Sequence, residues 1–453
     1  MKVVLLRCPW ITILQPPDIG VAYLIASLKS DGHEVRFFDL NMEFYRKIDE
    51  ADKERLIYSS AAVLIKEGDK IFTKYTGLAE EAVGRILELK PDVVGFNVWQ
   101  MNGRVSREFA RKIKKADSSI VTVFGGPDAY PLWSGMDYIN EPAVDLVVYG
   151  EAEITFKRIL DDLGRNGRVR AAPGTLFRDN GAVIDSGFGS VVEDLDKLPM
   201  PALEDFPLGL YVHNALPISF TRGCVHKCEY CPREMYPHFR SRSASGIVKE
   251  IELRAGMFPD KNKYFVCDAA LNANIVQIRE LCGLIIEKGI KATFGGFAYT
   301  HPGADRDFLK LMRKAGFNEL VYGVESGSER MLESLGKKIE IKTIERILKD
   351  TYEAGIEVSI DILVGLPGES EDDFRKTLEF LSRNGKYIKK VGVNHFGVLP
   401  YSKIYGRKEE YKLVPEDVIM GRIGELMGRI QSLALPETVK AGFDVEREGD
   451  AGR

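Results

Sequence analysis

Cys224, Cys228 and Cys231 are spaced C-x3-C-x2-C in the stretch Thr221-Arg222-Gly223-Cys224-Val225-His226-Lys227-Cys228-Glu229-Tyr230-Cys231-Pro232. Thiolates ligate soft metals and iron–sulfur clusters. A four-iron cluster offers four irons, so three cysteines leave one iron open to chelate another molecule. Zinc is the competing reading. A structural zinc site wants four ligands, often as two separated pairs. No second C-x2-C occurs in the chain, and His226, a possible fourth ligand, sits inside the loop between two of the cysteines.

The loop resembles the signature of the radical S-adenosylmethionine (SAM) enzymes, where an aromatic residue precedes the last cysteine as Tyr230 does here. The resemblance implies a [4Fe-4S] cluster whose open iron holds the amino and carboxylate groups of SAM. An electron from the cluster then splits the sulfonium to give a 5′-deoxyadenosyl radical. Val321-Tyr322-Gly323-Val324-Glu325-Ser326-Gly327-Ser328 resembles the family's strand-four motif, which makes Glu325 and Ser326 SAM-binding candidates beside Tyr230. A buried acid at a strand end needs partners, and ribose hydroxyls or an ammonium would provide them. A structural acid beside an N-cap is the alternative. Asp361-Ile362-Leu363-Val364-Gly365-Leu366-Pro367-Gly368-Glu369 resembles the strand-five turn, so Asp361, Gly365, Leu366 and Pro367 are candidates to line the adenosine pocket. Service as a plain turn and helix start stays open, because Glu371-Asp372-Asp373 complements a helix N-terminus. Asp268, Asn272, Tyr299, Tyr236, His238, Arg240 and Arg242 read as architectural or solvated rather than catalytic. Hydrogen-atom abstraction demands no general acid or base, and no residue is assigned a catalytic role.

These residues need strand ends to carry them. Residues 216–220, 263–267, 291–297, 319–324, 357–363 and 391–396 read as strands separated by helical stretches. Six β/α units without two more to close the ring predict a partial TIM-type (β/α)6 barrel, with chemistry at the carboxyl ends of its strands. Upstream, strands at 2–6, 34–39, 92–97, 120–124 and 145–149 alternate with helices, which predicts a doubly wound, Rossmann-like parallel sheet. Ligands in such sheets bind outside the carboxyl ends of the strands. Residues 174–189, around Asp179-Asn180-Gly181, read as a hairpin, and residues 193–207 as an acidic, proline-bearing linker. The expected division is 1–170 for the doubly wound domain, 171–212 for hairpin and linker, 213–400 for the barrel and 401–453 for a short helical C-terminal region.

The first third resembles the cobalamin-binding domain that precedes the radical domain in one large radical SAM class. The matching residues are Pro17-Asp18-Ile19-Gly20-Val21-Ala22-Tyr23-Leu24, Gly32-His33-Glu34-Val35, Gly95-Phe96-Asn97, Gly125-Gly126-Pro127 and Tyr149-Gly150-Glu151-Ala152-Glu153. The resemblance implies cobalamin contacts from Asn97, Trp99, Gly125, Gly126, Pro127, Gly150 and Glu151. Gly125 and Gly126 would let a bulky nucleotide tail approach the backbone, although tight turns alone would also call for glycine. Many corrinoid domains carry D-x-H-x-x-G after strand one, with a histidine that ligates cobalt. Residues 7–20 hold no histidine, and His33 falls between a helix and the next strand, at the opposite edge from the ligand crevice. His33 therefore reads as a turn residue, and no histidine is expected on the lower face of the corrin.

Composition narrows the setting. The chain has 453 residues and a net charge of −4 without a long basic run, so nucleic acid is not the favoured partner. Apolar runs are strand-length, too short for a membrane span, and the first residues lack a signal-peptide shape, so a cytoplasmic protein is expected. Six cysteines, three of them in one loop, argue against a disulfide framework. Cys8, Cys267 and Cys282 read as small buried hydrophobes. Together the two resemblances imply a methyltransferase that acts on an unactivated carbon through the adenosyl radical and methylcobalamin. Its substrate would be a small molecule or peptide, and a flavodoxin- or ferredoxin-type donor would supply electrons. A radical cyclase or rearrangement enzyme, with cobalamin an electron carrier or absent, is the alternative; a non-enzymatic iron–sulfur redox sensor is a third reading.

Overall fold

The computed structural model describes residues 1–9, 16–57, 68, 70–212, 214–232, 235 and 238–433. Tyr236 and the polar end of the chain lie outside these residues. The chain forms two compact units, Met1–Asn214 and Ala215–Arg453.

The first unit is built on a seven-stranded sheet: β1 (Lys2–Arg7), β2 (Glu34–Asp39), β3 (Val93–Asn97), β4 (Val121–Gly125), β5 (Leu146–Val148), β6 (Thr175–Asp179) and β7 (Ala182–Asp185). The order is β2-β1-β3-β4-β5-β6-β7, parallel through β5. Val3, Val4, Leu5 and Leu6 are all buried, as a strand covered on both faces requires. The strand order reverses between β1 and β3, which makes the carboxyl ends of that pair the crevice of a doubly wound sheet. The hairpin reading holds. Asn180 and Gly181 take φ of 48° and 84°, the left-handed pair that suits a two-residue turn. Its placement is the new information: β6 runs antiparallel to β5, so the hairpin extends the first sheet. The residues that follow also fold onto this unit. Ala202 N donates to Ala22 O at 3.1 Å, Phe206 lies 4.5 Å from Phe37, and the Tyr211 hydroxyl donates to the buried Asp39 beside Arg7.

The second unit holds β8 (Ala215–Ile218), the short antiparallel pair β9 (Thr221–Arg222) and β10 (Arg240–Ser241), and then β11 (Lys263–Val266), β12 (Thr293–Ala298), β13 (Phe317–Glu325), β14 (Glu357–Val364) and β15 (Lys390–His395). Six of these pair in sequence order, all parallel, with β8 and β15 as the edges. This is the expected partial barrel. Leu320, Tyr322, Val324, Ile360, Ile362, Val391 and Val393 point to one face and are buried. The opposite face carries Gly295, Val321, Gly323, Asp361 and Gly392, all half-buried. Helices follow the strands: Ala244–Met257, Ile275–Glu287, Arg306–Lys314, Glu329–Ser334, Ile341–Glu353 and Glu371–Asn384. The last opens on a capping box between Ser370 and Asp373, the acidic helix start seen in the sequence. A further helix, Glu416–Ser432, follows β15. Among the described residues no helix is long and apolar enough to cross a membrane. None of the six cysteines is joined in a disulfide.

Candidate active site

The cysteine loop leaves the end of β9 and is anchored from two sides. Glu229 N donates to Leu335 O at 2.9 Å, and Glu229 O accepts from Ile404 N at 3.2 Å. The Glu229 carboxylate pairs with Lys403 and Arg407 at 2.6 and 3.2 Å. Below the loop, Met331, Leu335, Leu366, Phe396 and Ile404 form a buried apolar cluster against which the Tyr230 ring packs. An apolar body and a polar tip suit tyrosine to such a boundary. Its hydroxyl leaves the apolar cluster and donates to Glu325 Oε1 at 2.9 Å. Burial, then the adjacent Glu325 carboxylate, push the Tyr230 phenol well above its ordinary range, so it stays a donor.

Glu325 is the strained residue of the site. It sits at the end of β13 with φ of 67°, where a non-glycine residue is uncommon, and the register with β14 slips between Gly323 and Glu325. Bulges and left-handed residues cluster at functional sites. Lys337 holds the arrangement: its Nζ donates to Glu325 Oε1 at 2.8 Å and to Gly323 O at 2.5 Å. Both charged side chains are largely buried, at 13% and 10% exposure. Gly323 makes room for the pair, since a Cβ there would stand 2.6 Å from Glu325 Oε1 and 3.3 Å from Lys337 Nζ. Asp361 leans over Gly392, where a Cβ would meet its Oδ1 at 2.2 Å. Burial, then the Glu325 charge, raise the Asp361 carboxyl to about 6 against the opposing pull of Lys337. Lys337 carries no motif of its own and was missed by the sequence reading.

Other candidates fall into supporting places. Ser326 is fully buried, 3.3 Å from Thr377 Oγ1, and accepts from Ser328 N at 3.2 Å, so contact with a ligand would come from its backbone. Gly365 has φ of 87° and its N–H donates to Glu369 Oε2 at 3.1 Å, while Leu366 and Pro367 are buried. Asp268 accepts from Phe220 N at 3.0 Å, Thr221 Oγ1 at 2.8 Å and Ser219 Oγ at 3.2 Å; it fixes the strand end before the cysteine loop. Asn272 exchanges two hydrogen bonds with Tyr299 backbone, at 2.7 and 2.8 Å. Arg242 pairs with buried Glu250 at 2.6 Å. His238 is exposed, and its carbonyl accepts from Nε of the buried Arg240 at 3.2 Å.

Three thiols on one loop are a donor set that an iron–sulfur cluster can take. Among the described residues, no three Cys, His, Asp or Glu side chains are gathered as one metal ion would need. In a cluster each cysteine would take its own iron, so the three thiols need not converge on one point. All three thiols are half-buried, Cys224 Sγ already accepts from His226 N at 3.4 Å, and Cys228 feels the charge of both Cys224 and Lys337. The His226 ring lies 3.8 Å from Tyr299, and burial lowers its pKa.

In the first unit, the carboxyl ends of β1, β3 and β4 are tied together by the chain itself. Asn97 Nδ2 donates to Asp18 Oδ2 at 2.8 Å, and Asp18 caps the helix Ile19–Ser30. Asn102 Nδ2 donates to Cys8 O and Asn97 O, both at 3.1 Å. Gly126, at φ of 118°, abuts Asn97 Oδ1, which a Cβ would meet at 2.5 Å. Gly125 lies against Val148 O, Pro127 is exposed, and Glu151 accepts from Val192 N at 2.9 Å. Two features face outward in chemistry. Among the described residues the indole N–H groups of Trp99 and Trp133 are buried without a partner, and Gly150, at φ of 84°, has open space where a Cβ would stand. Buried donors normally find acceptors, so this edge fits a large ligand with a polar periphery. His33 lies at the other edge, with Nδ1 3.4 Å from the Met1 amine.

Residues 218–381 match the Radical SAM superfamily and residues 14–160 match the B12 binding domain. This is a radical SAM enzyme with a B12 binding domain. The pairing implies a [4Fe-4S] cluster, SAM and cobalamin as its cofactors. An uncharacterized methyltransferase of Pyrococcus horikoshii is 22% identical over 372 residues, 81% of this chain and 73% of the relative. The anaerobic magnesium-protoporphyrin IX monomethyl ester cyclase of Rubrivivax gelatinosus is 25% identical over 318 residues, 66% of this chain and 56% of the relative. The solved structure of the radical SAM methyltransferase TsrM from Kitasatospora setae, with cobalamin and a [4Fe-4S] cluster bound, superposes with a TM-score of 0.68 at 17% identity, covering 89% of this chain and 73% of that one. At such identity the likeness speaks to fold. The three thiols, Tyr230, Glu325, Lys337 and Asp361 all lie in the radical SAM match, whereas the helix Glu416–Ser432 lies outside it.

Proposed function

We propose that this enzyme transfers a methyl group to an unactivated carbon of a small-molecule or peptide substrate. The observation that carries the reading is the pair of opposite charges buried beside the cysteine loop. SAM presents an ammonium and a carboxylate on one carbon. Glu325 and Lys337, 2.8 Å apart, are complementary to that zwitterion, and charge-assisted hydrogen bonds are the stronger kind. Cys224, Cys228 and Cys231 would hold the cluster, Tyr230 would orient Glu325, and the backbone at Gly365, Leu366 and Pro367 would meet the adenosine. When bound, the cluster supplies the electron that cleaves SAM and the corrinoid supplies the methyl group. Trp99, Trp133 and Gly150 would face the corrinoid, and Asn97, Gly125 and Gly126 would shape the loops beneath it. An external one-electron donor of the flavodoxin or ferredoxin type, and hence a cytoplasmic setting, follows from this chemistry.

The test is anaerobic reconstitution with iron, sulfide and hydroxocobalamin, followed by SAM and strong reductant. Formation of 5′-deoxyadenosine supports the radical assignment, and its absence from fully loaded protein removes it. A methylated product with more than one SAM consumed per turnover supports methyl transfer. The likeness to a cyclase favours ring closure as the second reading; a rearranged product that carries no SAM-derived methyl would select it.

A further inference from the structure

The helix Glu416–Ser432 lies past the radical SAM match, yet it is fastened to the turn that ends β14. Arg422 on this helix is buried and donates from Nη1 to Glu369 Oε2 at 2.8 Å. The same Glu369 oxygen accepts the Gly365 N–H at 3.1 Å. The Arg422 guanidinium lies 5.3 Å from the centre of the Phe374 ring, on the helix that the turn opens. One turn earlier, Ile419 packs on the Gly365 backbone so closely that a Cβ there would meet its Cδ1 at 2.6 Å. Upstream of the helix, Lys412 O accepts from Gly368 N at 2.9 Å. Three separate contacts from residues 412–422 thus converge on residues 365–369. A buried carboxylate is costly without a partner, so Glu369 can brace the Gly365 amide as an anion only because Arg422 neutralises it.

We propose that Arg422 is a positioning residue for SAM: through Glu369 it fixes the backbone of Gly365-Leu366-Pro367, and the helix Glu416–Ser432 is thereby a working part of the SAM site. The inference rests on the assignment of that turn to SAM. Arg422 touches neither SAM nor the reacting atoms in this scheme; it sets the shape of the groups that do.

The test uses the full chain, reconstituted with iron and sulfide, and equilibrium dialysis against labelled SAM. Arg422→Met is expected to weaken SAM binding about tenfold or more while iron per chain stays at the wild-type level. In the wild type, SAM should slow amide exchange at residues 365–369, and in Arg422→Met this protection should shrink. Should Arg422→Met fail to fold, Glu369→Gln carries the same test, because it keeps an acceptor for Gly365 N–H and removes the charge that Arg422 reads. In the double variant the two losses should be far from additive, since both break one link. SAM affinity and exchange protection unchanged in a folded, iron-loaded variant would overturn the inference while leaving the enzyme's reading intact. A wild type that binds no SAM would overturn both.

Discussion

At the carboxyl ends of β13 and β14, the radical SAM domain buries a carboxylate in a left-handed conformation, an ammonium that reaches it and a second carboxyl raised to about 6. At the carboxyl ends of β1, β3 and β4, the B12 binding domain also buries charge, in the Arg7–Asp39 ion pair and in Asp128, which accepts from the Tyr138 hydroxyl. Its polar side chains Asp18, Asn97 and Asn102 are occupied with one another and with backbone. Among the described residues the groups left without a partner include two indole N–H donors and Asp128 Oδ1, and the flank of Gly150 is open. The difference matches the ligands proposed for each. A small zwitterion next to a metal cluster is recognised by charge at fixed positions, where geometry errors are expensive. A large macrocycle is recognised by surface and scattered hydrogen bonds, so the crevice needs a firm rim.

The strongest way to break this comparison is to empty one site and watch the other. Cys228→Ala should lose nearly all iron and all SAM cleavage, because the loop offers no replacement thiol, while the corrinoid spectrum of the reconstituted chain stays. Loss of both cofactors together would show that the two sites are not independent. Next in size, Glu325→Gln and Lys337→Met should each weaken SAM binding about 10- to 100-fold, the range expected for a hydrogen bond to a charged group, with iron and cobalamin contents unchanged. Equal SAM affinity in Lys337→Met would remove the charge-complementarity argument.

How much of this was readable beforehand depends on the distance between partners in the chain. The cysteine loop is contiguous, and its three thiols and Tyr230 could be picked out directly. Strand order was nearly readable, because β/α alternation leaves few parallel arrangements. The hairpin was legible as a hairpin, but its antiparallel seat on β5 depends on an edge that no local pattern reports. Lys337 sits in Leu335-Gly336-Lys337-Lys338, which reads as a solvated charge run until the fold brings it to Glu325. Ser326 was grouped with the SAM ligands by its motif, yet its hydroxyl is taken by Thr377, 51 positions away in sequence. The motif also could not reveal that Glu325 is left-handed, since backbone strain follows from the bulge rather than from residue type.

The glycines sharpen the same contrast at smaller scale. Gly126→Ala meets Asn97 Oδ1 at 2.5 Å and Val98 O at 2.7 Å, so it should cost about 3 kcal/mol in thermal unfolding whether or not corrinoid is present. Gly150→Ala adds a Cβ into open space and should cost only the left-handed conformation, about 1 kcal/mol. If the corrinoid approaches Gly150, that mild variant should lower cobalamin uptake out of proportion to its stability. Uptake that tracks stability in both variants would reduce Gly150 to a turn.

The smallest effect concerns Asp361 and has a sign that the two-site comparison fixes. Its carboxyl is raised from 3.8 to about 6, chiefly by burial and then by Glu325. The folded chain therefore binds this proton more tightly than the unfolded chain does. Between about pH 4 and about pH 6 the unfolded state carries fewer protons here, so stability falls as pH rises through that window and then stays lower. A shift of this size sets a ceiling of about 3 kcal/mol; an Asn amide must itself be desolvated at the same place, so the net gain from Asp361→Asn at neutral pH should be nearer 1 kcal/mol. Thermal melts of the metal-free chain should show the variant above wild type at about pH 7 and level with it near pH 4. A wild type that is the more stable at neutral pH would mean that Lys337 holds Asp361 as an anion, and the ammonium would then be shared by two carboxylates before any SAM arrives.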